Sequence, residues 1–161
     1  PEVIFHAAAY KHVPMMENNP VESILNNVDG TRKLADLAVK YGVREFVMIS
    51  TDKAVQPTSV MGCSKRICEI YCQSLAKSPI NKNNCKFITT RFGNVLGSNG
   101  SVIPIFRKQI RGGGPVTITH PDIVRYFYAD SRSLSVGVGS LFASVKGEKF
   151  LCLIWEPPYV L

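Results

Sequence analysis

Glu45-Phe46-Val47-Met48-Ile49-Ser50-Thr51-Asp52-Lys53 is the stretch that decides the fold. Its first five residues are apolar enough, and short enough, to read as a parallel strand buried on both faces. Its last four turn polar. In open α/β sheets, ligands bind just beyond the carboxyl ends of the strands. A hydroxyl pair, a carboxylate and an amine stand adjacent at such an end. After a short loop, Met61-Gly62-Cys63-Ser64-Lys65 brings a second lysine onto the start of the next helix. This grouping suits proton transfer to and from a bound substrate. The same residues would also serve as a capped turn carrying a surface ion pair.

On the N-terminal side, Val3-Ile4-Phe5 reads as a strand that ends in the small residues of His6-Ala7-Ala8-Ala9. Small residues there let a dinucleotide approach the backbone. Pro14 and Pro20 are expected to punctuate a loop. A helix is expected over residues 21–41, with Ile24, Val28, Leu34, Leu37, Ala38 and Tyr41 at helical spacing and Gly42 as its stop.

On the C-terminal side, Gln56-Pro57-Thr58-Ser59 forms a loop, and a helix runs over residues 60–76 with Ile67, Ile70, Tyr71 and Leu75 on its apolar side. A polar loop at 78–84 precedes a strand at 86–91. Strand, helix, strand, helix, strand argues for parallel pairing through right-handed crossovers, an α/β doubly wound sheet. Beyond it, Gly93, Gly97 and Gly100, then Gly112-Gly113-Gly114-Pro115, frame an amphipathic helix near 103–110 and a strand at 116–119. These residues are expected to build a small substrate-binding lobe.

At 161 residues and 45% hydrophobic, the chain can bury one sizeable core. No apolar run approaches the length of a membrane span. A net charge of +7 suits an anionic ligand such as a nucleotide diphosphate. Nucleic acid is not expected, because no basic run is interleaved with aromatics. The five cysteines form no CxxC pair. Cys68 and Cys72 share a helix face without a nearby histidine to complete a metal set, so they read as packing thiols in a reducing cytoplasm, and no metal is expected.

Five ordered blocks carry a resemblance: His6-Ala7-Ala8-Ala9-Tyr10-Lys11-His12-Val13-Pro14, Asn26-Asn27-Val28-Asp29-Gly30-Thr31, Ile49-Ser50-Thr51-Asp52-Lys53-Ala54-Val55, Arg91-Phe92-Gly93-Asn94-Val95-Leu96-Gly97 and Gly113-Gly114-Pro115-Val116-Thr117-Ile118-Thr119-His120-Pro121. Over residues 1–127 the chain resembles the extended short-chain dehydrogenases/reductases. More narrowly, it resembles the capsule and O-antigen (CapD-like) nucleotide-sugar 4,6-dehydratases. The resemblance implies a partial Rossmann-type sheet, NADP or NAD as cofactor, and a UDP-sugar substrate, UDP-N-acetylglucosamine in particular. It implies oxidation at the sugar C4, loss of water across C5 and C6, and reduction at C6. A homo-oligomer is implied, formed through the helices near 21–41 and 60–76. A cytoplasmic enzyme is expected, with a parent that resembles members anchored at the cytoplasmic face of the membrane.

By position in the family's motifs, Asp52 resembles the acid at C6 and Lys53 the base at C5. Those roles require a raised carboxyl pKa and a lowered lysine pKa, which burial beside the sugar would supply. Thr51 and Ser50 are implied at the C4 oxygen. Lys65 is implied at the nicotinamide ribose, and Asn27 as the brace of the site. His6, Ala7, Ala8, Ala9, Ser50, Arg91 and Phe92 are expected along the cofactor. Asn94 and Arg125 are expected on the UDP-sugar, where a guanidinium pairs with phosphate oxygens. Ser98, Val102 and Pro104 fall where the family encloses the uracil. Met61 departs from the superfamily's tyrosine at this position, and a thioether cannot transfer a proton. Lys65, Thr51 or an ordered water is left to deprotonate the C4 hydroxyl. His12 and His120 are given no chemistry.

Two rivals remain open: a 4-epimerase, which needs neither the acid at C6 nor the base at C5, and a dinucleotide-binding scaffold without catalysis. The family's Gly-rich phosphate loop would precede Pro1, so this stretch alone is expected to bind NAD(P) poorly. From Tyr128 the chain leaves the family pattern. Codons exist for residues 128–140 that, read one base later, give Met-Arg-Ile-Pro-Glu-Ala, the family's next helix. Residues 128–161 are therefore read as an atypical tail translated out of frame.

Overall fold

The computed structural model describes residues 1–95 and 102–118, together with the backbone of short strands at 124–125, 127–128, 150–152 and 159–160. Its centre is a parallel sheet. Strand β1 (Val3–His6) pairs with β2 (Glu45–Thr51), and β2 with β3 (Lys86–Phe92). Phe150–Cys152 adds a further parallel strand beside β3 through Thr89, Thr90 and Arg91. The expected α/β parallel sheet is the observed one. Six of the seven β2 residues run buried or nearly so from Glu45 to Ser50, as a strand covered on both faces must.

Between β1 and β2 the chain is more helical than expected. Helix α1 (Val13–Asn18) and α2 (Pro20–Ser23) occupy the stretch expected as a loop. Pro14 and Pro20 do not break these helices. They sit in the first turn, where a missing N–H costs nothing and the fixed φ suits the helix. A π-helical segment, Ile24–Asp29, then leads into α3 (Gly30–Lys40). Gly42, at φ +68°, ends α3 as expected. The Val43 N–H reaches the Ala38 carbonyl at 2.9 Å and the Gly42 N–H reaches that of Val39 at 3.2 Å, which is the Schellman closure.

Helix α4 (Val60–Lys77) follows β2, and its N-cap Ser59 accepts from the Gly62 N–H. The buried faces of α3 and α4 correct the sequence expectation in part: Ala38, Cys68, Cys72 and Leu75 are buried as expected. In α3 the buried residues are Thr31, Ala35, Ala38 and Val39, whereas Ile24, Leu34, Leu37 and Tyr41 are exposed. In α4, Cys68, Cys72 and Leu75 are buried with Lys65 and Glu69, whereas Ile67 and Ile70 are exposed. The core joins Ala35, Ala38, Val39 and Val43 to Phe46, Met48, Cys68, Cys72, Leu75 and Cys85. Small side chains let the helices lie close to the sheet, and the larger aliphatic residues are left outside.

Helix α5 (Val102–Arg111) covers the expected 103–110. Residues 116–118 form no strand. The Thr117 N–H is taken by the Gln109 side chain at 3.2 Å, and Gln109 in turn donates to the Thr117 hydroxyl at 3.1 Å, so a side chain satisfies the backbone in place of a ladder. Two small pairings lie outside this sheet: β4 (Asn94–Val95) is parallel to Phe127–Tyr128, and β5 (Val124–Arg125) is antiparallel to Tyr159–Val160.

Candidate active site at the carboxyl end of the central strand

Strand β2 delivers Thr51 to its tip, and the chain turns at once into a 3₁₀ turn, Asp52–Ala54. The Thr51 hydroxyl donates to Asp52 Oδ1 at 2.8 Å. The same Oδ1 accepts from the Lys53 N–H and from Lys53 Nζ, each at 2.9 Å. The acid and the amine are thus joined directly, and both are partly open to solvent, with side chains 24% and 35% exposed. Asp52 Oδ2 has no partner among the described residues. Helix α4 packs against this turn, with Gly62 at the Lys53 carbonyl.

Lys65 is buried, 7% exposed, and its Nζ donates to the Ile49 carbonyl at 2.7 Å. Burial holds its pKa below the ordinary lysine value, although Cys68 and Glu69 nearby oppose the shift. Met61, one turn earlier, is 4% exposed. No proton donor or acceptor of useful strength stands at that position.

Asn27 lies buried in the π segment, a helix irregularity that commonly marks functional sites. Its Oδ1 accepts from the Tyr10 N–H at 2.7 Å, and its Nδ2 donates to the Tyr10 carbonyl at 3.1 Å and to Ser64 Oγ at 3.0 Å. One amide therefore ties the loop after β1 to the first turns of α4.

The cofactor-side residues divide into two groups. Ala7 and Ala8 are exposed at the end of β1, and Ala9 is half-buried. The His6 ring is turned inward, bonded to the Thr31 hydroxyl at 2.9 Å and tilted against Phe46. Burial, and then the Lys65 charge, hold its pKa below the ordinary histidine value. Ser50 and Arg91 meet at Glu69. The Ser50 hydroxyl donates to Oε1 at 2.7 Å, and the Arg91 guanidinium bridges both oxygens at 2.8 and 2.6 Å. Phe92 is half-buried opposite Thr51 in the β2–β3 register.

On the substrate side, Asn94 begins β4 and is half-buried. Val102 is half-buried at the start of α5. Pro104 is exposed, on the rim of a depression of ≈ 300 Å³ that Arg107, Lys108 and Arg111 also line. The Arg125 backbone pairs with Tyr159. Ser98 and His120 lie outside the described residues. No group of three or more His, Cys, Asp or Glu side chains is placed to hold a metal among the described residues. No helix among them is long and apolar enough to cross a membrane.

Glu69 is the residue the sequence reading missed. It is completely buried on α4, and Arg66 also reaches its Oε2 at 2.9 Å. Its burial alone would raise the carboxyl pKa. Hydrogen bonds from Arg91, Ser50 and Arg66 outweigh that and hold the pKa below the ordinary value. The available signal was its spacing, since Glu69 follows Lys65 by one helical turn.

Parallel strands joined by helices, with a hydroxyl, a carboxylate and a buried lysine gathered at the carboxyl ends, define a Rossmann-type α/β protein. Within that class, the chain belongs to the polysaccharide biosynthesis protein family, whose model matches residues 1–157. It is 50% identical over 161 residues to the capsular polysaccharide biosynthesis protein CapD of Staphylococcus aureus, across 98% of this chain and 26% of that protein. A UDP-glucose 4-epimerase of Rickettsia canadensis is 44% identical over 151 residues, across 93% of this chain and 44% of the epimerase. The chain thus spans less than half the length of both. Among solved structures, MoeE5 in complex with UDP-glucose and NAD superposes with a TM-score of 0.83 at 20% identity, over 94% of this chain and 56% of MoeE5.

Proposed function

We propose that the full-length protein carrying this chain is an NAD(P)-dependent 4,6-dehydratase of UDP-N-acetylglucosamine, acting in the synthesis of a surface polysaccharide. The observation that carries the reading is the Asp52–Lys53 pair, joined at 2.9 Å at the tip of the central strand. An epimerase has no use for an acid and an amine placed together there. NAD(P), when bound, supplies hydride removal at C4 and hydride return at C6. The residues fit such a group: Ala7 and Ala8 leave the backbone after β1 approachable, and buried Lys65 stands behind the strand tip.

Lys53 removes the C5 proton that the C4 ketone makes acidic, and Asp52 gives its proton to the departing C6 hydroxyl, which leaves as water. As C6 is reduced, Lys53 returns its proton to C5, and the proton released from the C4 hydroxyl restores Asp52 for the next turnover. Lys65, Thr51 or an ordered water takes the C4 hydroxyl proton, since Met61 cannot. Asn94, Ser98, Val102, Pro104 and Arg125 hold the UDP portion in this reading. The exposed Leu34, Leu37, Ile67 and Ile70 support pairing of two copies through α3 and α4. The active site is placed in the cytoplasm, where nucleotide sugars are made.

The test is incubation of the full-length protein with NADP+ and UDP-N-acetylglucosamine in D2O, followed by proton NMR. The expected product has a new C6 methyl signal that Asp52→Asn and Lys53→Ala each abolish. The Rickettsia relative keeps a second reading in view, a 4-epimerase. Inversion at C4 without a methyl signal would establish that reading in place of the first. An unchanged sugar would sink both for this substrate. We also propose that residues 128–161 are a tail translated out of frame, a reading that must accommodate a family match running through residue 157, and in-frame codons incompatible with the shifted helix sequence would end it.

A further inference from the structure

Glu69 takes no part in the reaction described above, yet it is the most heavily bonded carboxylate near the site. It is fully buried, and its two oxygens accept four hydrogen bonds, from Ser50, Arg66 and twice from Arg91. Charge-assisted bonds of this kind are about twice as strong as neutral ones. Ser50 and Arg91 are direct partners in the β2–β3 register, so Glu69 clamps the carboxyl ends of two neighbouring strands from a helix that packs on both.

The clamp belongs to a longer arrangement. Along α4, Gly62, Lys65 and Glu69 recur about one turn apart and so share a face. Gly62 meets the Lys53 carbonyl, Lys65 holds the Ile49 carbonyl and Glu69 holds the Ser50 hydroxyl. Three successive turns of one helix thus grip the strand tip on both sides of Thr51. The bonds inside the turn, from Thr51 and Lys53 to Asp52, are local and set its shape. Its position relative to the rest of the sheet depends on the β2–β3 pairing, which runs to Thr51 and Phe92, and on the grip of α4.

We propose that Glu69 is a positioning residue that fixes the Thr51–Asp52–Lys53 turn in its working place through Ser50 and Arg91. The inference rests on the dehydratase reading only for its kinetic consequence. With Ser50 released, the turn can swing on its two remaining α4 contacts while the helix and sheet stay packed. Misplacing a reacting group by about 1 Å costs on the order of 10²-fold in rate.

The experiment compares full-length wild type and Glu69→Gln by hydrogen–deuterium exchange and by kinetics with UDP-N-acetylglucosamine. Expected are exchange about tenfold faster in the peptide spanning 50–56, as loss of a charged hydrogen-bond partner implies, and wild-type protection in α4 and β3. Turnover is expected to fall about 10–100-fold with KM within about twofold, because the turn acts on the reacting carbons rather than on the UDP. Unchanged exchange at 50–56, or protection lost together through α4 and the sheet, overturns the proposal, as does a rise in KM with turnover intact. If Glu69→Gln does not fold, Ser50→Ala, which deletes one hydroxyl, takes its place, and the same changes in exchange and kinetics support or overturn the proposal. The exchange measurement does not use the reaction. Its failure therefore sinks the positioning role alone, whereas a wild-type protein that makes no C6 methyl sinks the dehydratase reading and leaves the exchange result standing.

Discussion

Gly62 presses its Cα against the backbone of Lys53: a Cβ at position 62 would stand 2.5 Å from the Lys53 carbonyl oxygen and 3.3 Å from its carbonyl carbon. The obstructing atoms are main chain, so no side-chain rotation relieves them. Gly62 is there because the Asp52–Lys53 turn passes too close to α4 for any side chain, not because the helix needs glycine's freedom. Gly62→Ala is expected to push the Asp52–Lys53 turn outward, at a cost of about 1–3 kcal/mol in stability and on the order of 10²-fold in turnover. Thermal unfolding and steady-state kinetics on the full-length protein check both. Wild-type turnover in the alanine variant would show that the turn tolerates displacement.

Asn27 makes a second kind of constraint. Its buried amide uses both ends, accepting from the Tyr10 N–H and donating to the Tyr10 carbonyl and Ser64 Oγ. Asn27→Ala leaves two backbone groups of Tyr10 without that partner. The expected loss is about 2–4 kcal/mol in urea unfolding, with the loop after β1 loosening first in amide exchange. A loss near zero would mean that water replaces the amide and that the brace is not structural.

Strands β1 to β3 and the long helix α4 were legible because their signals are local: a short apolar run for β2, helical spacing for α4, Gly42 for the end of α3. The site's acid and amine were legible because they are adjacent in sequence. Which face of each helix is buried was legible only in part: Ala38, Cys68, Cys72 and Leu75 are buried as expected. The rule that aliphatic residues face inward put Ile67 and Ile70 inside, whereas the inward face carries Ser64, Lys65, Cys68, Glu69 and Cys72. A helix that supplies polar groups to a site buries those groups by pairing them, and the partners lie 19 and 22 residues away in Ser50 and Arg91. Periodicity cannot see such pairs. Nor can it see α1 and α2, because Pro14 and Pro20 start helices as readily as they end loops.

Met61 offers a sharp separation of packing from chemistry. It is buried at the position where a tyrosine would act on protons, and a thioether has no proton to give. Met61→Leu conserves volume and polarity, so stability is expected to change by less than about 1.5 kcal/mol and turnover to stay at the wild-type level. A collapse of turnover at unchanged melting temperature would assign the sulfur a role that its chemistry does not suggest.

The Glu69 cluster also sets how the fold responds to acid. Burial raises this carboxyl pKa, but the bonds from Arg91, Ser50 and Arg66 more than compensate, so the folded value lies below the ordinary 4.5. The unfolded chain therefore binds the proton first as pH falls. The stabilisation is complete above about pH 4.5 and is lost as pH drops from there through the folded pKa. In Glu69→Gln this titration is absent. At neutral pH the variant is expected to be less stable by on the order of 1 kcal/mol, since the amide still accepts from Arg91 but carries no charge. Below pH 4.5 the wild type loses the advantage of its charge, so the two stability curves should converge as pH falls. Urea unfolding at a series of pH values checks this. Curves that remain parallel from neutral to acid would mean that the cluster contributes shape and packing but no net charge stabilisation, and the 2.6 Å contact between Arg91 and Glu69 would then be energetically silent.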